Sequence, residues 1–94
     1  MSKSTQCIVI APEDNVATAI VALPAGEAVE IGGRQVLPLA DIPYGHKFAL
    51  ADVARGDYLI KYGARIGRAT VPILTGDHVH VHNVEDIVDE VRKA

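Results

Sequence analysis

Residues 76–83 read Gly-Asp-His-Val-His-Val-His-Asn, which puts His78, His80 and His82 at every second position. On an extended strand alternate Cβ atoms share a face about 6.5–7 Å apart, so the three imidazoles point one way and Val79 and Val81 the other. Three chemistries fit that spacing. Neighbouring rings can chelate one cation such as zinc, although closed zinc sites usually add Cys or carboxylate ligands. Here Cys7 is far off in sequence and no CxxC exists. The rings can instead donate to the hydroxyls and carboxylates of a polyol acid and relay protons near neutral pH. Or they are the wetted face of a strand and do nothing. Spacing alone leaves all three open.

A second polar cluster follows Gly45, where His46 and Lys47 sit at the mouth of a glycine turn that lets backbone and side chains approach a ligand. Lys61, Arg65 and Arg68 form a third, suited to carboxylate or phosphate capture or, taken singly, to a solvated face. Other signatures are missing. The sequence has no GxGxxG, P-loop or GxSxG, and its serines are confined to Ser2 and Ser4, which argues against nucleophilic catalysis by this chain alone.

The elements that must carry these residues are short. "CIVI" reads as a first strand covered on both faces. In residues 11–26, Val16, Ile20 and Leu23 follow a helical spacing, Pro12, Glu13 and Asp14 suit a first turn, and Pro24 and Gly26 stop it, so a short helix of about ten residues is predicted. One pattern then recurs in "LPAGEAVEI", "IPYGHKFAL", "VARGDYLIK" and "ILTGDHVHV". Each copy predicts a tight turn, with Gly26, Gly45, Gly56 or Gly76 at positive φ, feeding a strand. The glycines are unevenly spaced, so this is a local device and not a solenoid repeat. Residues 84–94 carry the stripe Val84, Ile87, Val88 and Val91, with Asn83 as a cap and Arg92 and Lys93 in the last turn, and predict a C-terminal amphipathic helix.

These elements sum to a mainly β single domain spanning residues 1–94, with residues 1–6 as a polar tail and a short helix near each end. Of the 94 residues 49% are apolar, with no Trp, one Phe and three Tyr, so the core must be aliphatic. A net charge of −3 argues against nucleic-acid binding. The lone cysteine, the polar N-terminus and the lack of a long apolar run predict a cytoplasmic protein without a membrane span. Uncovered edges of short strands lead us to expect a homo-oligomer or docking on a larger partner.

Taken in order, "DNVATAIVALPAGEAV", "GHKFALADVARGDYLIKYGARIGRA" and "GDHVHVHNV" resemble the small subunit, or N-terminal domain, of the altronate and galactarate dehydratase family, which includes the sulfolactate sulfo-lyase small subunit. The resemblance implies a SAF-type β-clip domain of short bent strands. It also implies a lyase subunit inactive without its large catalytic partner. That enzyme would dehydrate an aldonic or aldaric acid to a 2-keto-3-deoxy acid, or release sulfite from sulfolactate. A divalent cation, iron in the altronate enzymes, is expected in the large part, with no metal or cofactor in this chain. The motif positions carried over are Asp14, Asn15, His46, Lys47, Lys61 with Tyr62 and Gly63, Ile66 with Gly67, and His78, His80, His82 and Asn83. The match gives no individual roles; we expect Asp14, Asn15, His46, Lys47, Lys61 and Asn83 to bind substrate and His80 and His82 to act as catalytic proton donors or relays. The chain departs from the family at Ala11, where many relatives have a histidine. Rival readings are a sugar-acid-binding or assembly module without catalysis, and a small metal-binding protein built on the histidine row.

Overall fold

The computed structural model describes residues 6–9 and 12–87, and among these it holds strands and turns but no helix. The strands are β1 (Cys7–Ile8), β2 (Val16–Ala19), β3 (Val29–Ile31), β4 (Arg34–Val36), β5 (Lys47–Ala49), β6 (Tyr58–Lys61), β7 (Ala64–Ala69), β8 (His78–Val79) and β9 (Val84–Glu85). They form a sheet in the order β1-β2-β5-β8, the hairpin β3-β4, and a sheet in the order β6-β7-β9, all antiparallel. The expectation of a mainly β chain of short strands holds.

Neither expected helix is present among the described residues. Val16–Ala19 is a central strand, and Val16, Ala17 and Ala19 are fully buried, Val16 in one core cluster and the two alanines in the other. An apolar run covered on both faces lacks the alternation that separates strand from helix, so an i, i+4, i+7 spacing is met by chance. At the other end, Val84 and Glu85 pair with Ala69 and Arg68 instead of opening a helix. Gly67 permits this, because a Cβ there would overlap the Val84 side chain. Residues 88–94 of the expected helix, and Ala11, lie outside the described residues.

The recurrent glycine pattern is the organising device. Four turns, at residues 24–27, 43–46, 54–57 and 74–77, each close with a hydrogen bond from the fourth residue's N–H to the first residue's carbonyl. The third residue is the glycine, with φ between 81° and 92°, the geometry of a type II turn. The turns are paired. Leu23 and Ile42 exchange both backbone hydrogen bonds, as do Val53 and Ile73, and all four side chains are buried. Between the turns of each pair lies a two-residue hairpin loop with both residues at positive φ, Gly32-Gly33 in one half and Tyr62-Gly63 in the other. The uneven glycine spacing is thus the signature of two similar halves, each a pair of turns around a hairpin.

Each half has its own aliphatic cluster. Phe48 joins Leu23, Val29, Val36, Ile42 and Leu50 in the first, and Leu59, Ile73, Val53 and Val79 form the second. β2 and β5 lie side by side and contribute to both, so one sheet ties the halves together.

Candidate functional site

The site forms where two of the glycine turns deliver their strands side by side. The turn at Gly45 leads into β5 and the turn at Gly76 into β8, and the strands run antiparallel with Lys47 opposite Val79 and Phe48 opposite His78. That register sets His46 opposite His80 on the face that carries His78. The ring centroids lie 4.8 Å apart for His46 and His80, 5.0 Å for His46 and His78, and 5.6 Å for His78 and His80. His46 Nδ1 is 2.8 Å from His78 Nε2, so one ring donates to the other. Nitrogen atoms of His46, His78 and His80 all lie within 4.8 Å of one another, a set that could hold a metal ion. The sequence row of three has become a cluster of four, with His82 against His78 at 5.4 Å.

The row does not stay on one strand. β8 ends at Val79, and the chain turns through residues 81–83, leaving Val81 83% exposed where the alternation placed it inside. Asn83 causes the turn. Its Oδ1 accepts from the His80 N–H, its Nδ2 donates to the His78 carbonyl, and its own N–H and that of Val84 donate to the His80 carbonyl. Asn83 is buried and clamps the backbone on both sides of the His78–His80 segment.

Asp14 and Asn15 serve the second hairpin in the same way. Asp14 Oδ1 accepts from the Gly63 N–H in the hairpin loop, and Asn15 brackets β6 by donating to the Tyr58 carbonyl and accepting from the Ile60 N–H. These bonds hold the strand that ends in Lys61.

Lys47 and Lys61 do converge. With Tyr62, Ile66, His80, the acids Glu85 and Asp86 and several valines they line an open cleft of about 470 Å³. The Lys61 ammonium lies 3.4 Å over the Tyr62 ring, a cation–π contact that fixes it at the rim. Tyr62 has φ 56°, a conformation costly for a side chain with a Cβ, and Ile66 is the extra residue of a β-bulge between β6 and β7. Residue chemistry alone does not single out Tyr62 or Ile66, but both stand at motif positions of the family resemblance. Arg65 and Arg68 lie elsewhere, their guanidinium groups 4.5 and 5.3 Å from the Tyr58 ring centre. Arg68 also donates to the Tyr58 hydroxyl and pairs with Glu85.

Burial first, and then the neighbouring imidazoles of His46, His82 and His80, hold the His78 pKa below its ordinary value. A neutral ring at neutral pH can accept a proton or bind a cation through its lone pair. Cys7 is moved the other way, since burial raises its thiol, and it is a poor nucleophile.

Comparison with known proteins agrees with the motifs. A family model for the altronate/galactarate dehydratase SAF domain matches residues 5–87. The chain is 46% identical over 78 residues to an altronate dehydratase of Escherichia coli strain K12, a match covering 83% of this chain and 16% of that protein. It is 35% identical over 85 residues to the altronate dehydratase of Bacillus subtilis strain 168, covering 90% of this chain and 17% of that protein. The chain therefore spans about a sixth of these relatives. A (2R)-sulfolactate sulfo-lyase subunit alpha of Chromohalobacter salexigens is 52% identical over 44 residues, 47% of each chain.

Proposed function

This chain belongs to the altronate/galactarate dehydratase SAF domain family, and from that membership we propose that it is the small, non-autonomous subunit of a cytoplasmic sugar-acid hydro-lyase. It helps bind an aldonic or aldaric acid while a large subunit carries out dehydration to a 2-keto-3-deoxy acid. The bent-strand architecture is read as a β-clip. A divalent cation, iron being expected, belongs to the large subunit and would activate the acid there.

The observation that carries this reading is the cleft in which the Lys47 and Lys61 side chains meet the edge of the histidine cluster at His80. The two ammonium groups suit a carboxylate and the imidazole at the edge suits the hydroxyls next to it, while the acids Glu85, which pairs with Arg68, and Asp86 lie on the same lining. In this reading Lys47 and Lys61 hold the acid, His46 donates to it, and His80 and His82 relay protons between cleft and solvent. Asp14, Asn15 and Asn83 contribute by holding the hairpin and the turn that carry these side chains.

The test is reconstitution with the large subunit and a screen of altronate, galactarate and sulfolactate. Lys47→Ala and Lys61→Ala should each raise KM by about tenfold with a smaller change in kcat, the result of removing ground-state binding. His46→Ala or His82→Ala should lower turnover by about tenfold or more, the scale of lost proton transfer or orientation. Unchanged KM in both lysine variants would remove the cleft from the acid site.

Sulfite elimination is the second reading. It is favoured by the similarity to the Chromohalobacter subunit, 52% identical over 44 residues. Turnover of sulfolactate in preference to the sugar acids would decide for it.

A further inference from the structure

We propose that His46, His78 and His80 form a binding site for a divalent first-row transition cation within this chain. The row alone offered two or three rings on one strand, each separated by a full alternate-residue step. Sheet register adds His46 from a distant part of the sequence and closes the triangle, with nitrogen atoms of all three rings within 4.8 Å of one another. Around a tetrahedral ion with metal–nitrogen bonds of about 2.0–2.1 Å, paired ligand atoms sit about 3.3 Å apart. The His46–His78 pair, at 2.8 Å, falls inside that distance through a mutual hydrogen bond that a cation would replace, and ring rotation must bring the three nitrogens, now within 4.8 Å of one another, to that spacing.

The framework is rigid where such a site needs it to be. Gly45 N–H donates to the Ala19 carbonyl and Gly76 N–H to the Ala49 carbonyl, which anchors both turns that launch the ligands. Asn83 clamps His78 and His80 at their backbones. A site whose supporting bonds are already made binds without a large ordering cost.

Ligand chemistry selects the cation. The triangle is built from imidazoles without a carboxylate, a donor set that suits zinc, nickel, copper or ferrous iron and not magnesium or calcium, which take oxygen ligands. Three protein ligands leave at least one coordination position for an outside donor. His80 also borders the cleft, so that position can face an anionic oxygen bound near Lys47 and Lys61.

The cation site shares His46 and His80 with the acid-binding reading, and its test uses no acid, so the two can fail separately. The test is equilibrium dialysis of the full, tag-free chain against zinc at pH 7.5, followed by metal analysis and X-ray absorption. About one zinc per chain with about three imidazole nitrogens is expected, as in open zinc sites. His46→Ala and His78→Ala should each weaken binding by about tenfold or more, while Lys47→Ala, which targets the acid, should keep the stoichiometry. Zinc should also shift the ring resonances of His46, His78 and His80 in the unmodified chain, a readout that needs no variant to fold. Stoichiometry near zero, or His46→Ala binding zinc as tightly as the parent, would overturn the proposal.

Discussion

His78 sits at the centre of the cluster, in contact with His46, His80 and His82. Its folded pKa lies below the ordinary 6.5, because burial and then the rings of His46, His82 and His80 oppose a positive charge there. Between the unfolded value and that lower folded value the unfolded chain binds more protons, so stability falls as pH drops through the window and is fully present above it. In chelator-treated protein, the His78 ring should titrate below 6.5 by NMR, and His46→Ala should move it upward. A His78 titration at or above 6.5 would contradict the packing described. At this scale the sequence displayed the row but not its partner, since His46 reaches the cluster through strand register and not through sequence proximity. Asn83 was visible as a motif residue, yet its work as a backbone clamp emerges only once the chain is seen to turn at Val81.

The glycine turn is the element on which the whole arrangement depends, and its copies are not equally demanding. At Gly45 an added Cβ meets nothing within 4 Å, so Gly45→Ala suffers only the positive-φ strain, about 1–2 kcal/mol. At Gly76 φ is 92° and a Cβ would overlap the Leu37 carbonyl oxygen, so strain and collision add. Gly76→Ala should therefore destabilise by about 2–4 kcal/mol, clearly more than Gly45→Ala in parallel urea melts. Equal losses would show that the two turns are not packed as described. The turns were legible because glycine followed by alternating apolar residues has one economical geometry. The first helix was misread because the spacing of Val16, Ile20 and Leu23 satisfies a helix while burial on both faces of β2 satisfies a strand. Local pattern does not register how many faces are covered.

As a whole the molecule is two like halves joined through β2 and β5, with the candidate site on the half-to-half sheet where β5 meets β8. Neither half alone brings His46 beside His78. Phe48 lies on β5 two residues after His46, within the core of the first half, and is fully buried. Phe48→Ala should cost about 3–5 kcal/mol by leaving a cavity, and the same variant should lose the zinc-induced shift of His46. A variant that melts normally would place the load elsewhere. The homologous altronate dehydratases are about six times the length of the matched segment.

The sequence by itself determined the β-rich class, the aliphatic core, the four glycine turns and the family, because each is written in residues close together along the chain. It also supplied the chemistry on offer, imidazoles and ammonium groups without a nucleophile. Tertiary structure alone decided that β2 is a strand, that the histidine row bends after Val79, and that His46 faces His80. Those outcomes follow from sheet register and from covering both faces of a strand, relations between distant residues that no local spacing encodes.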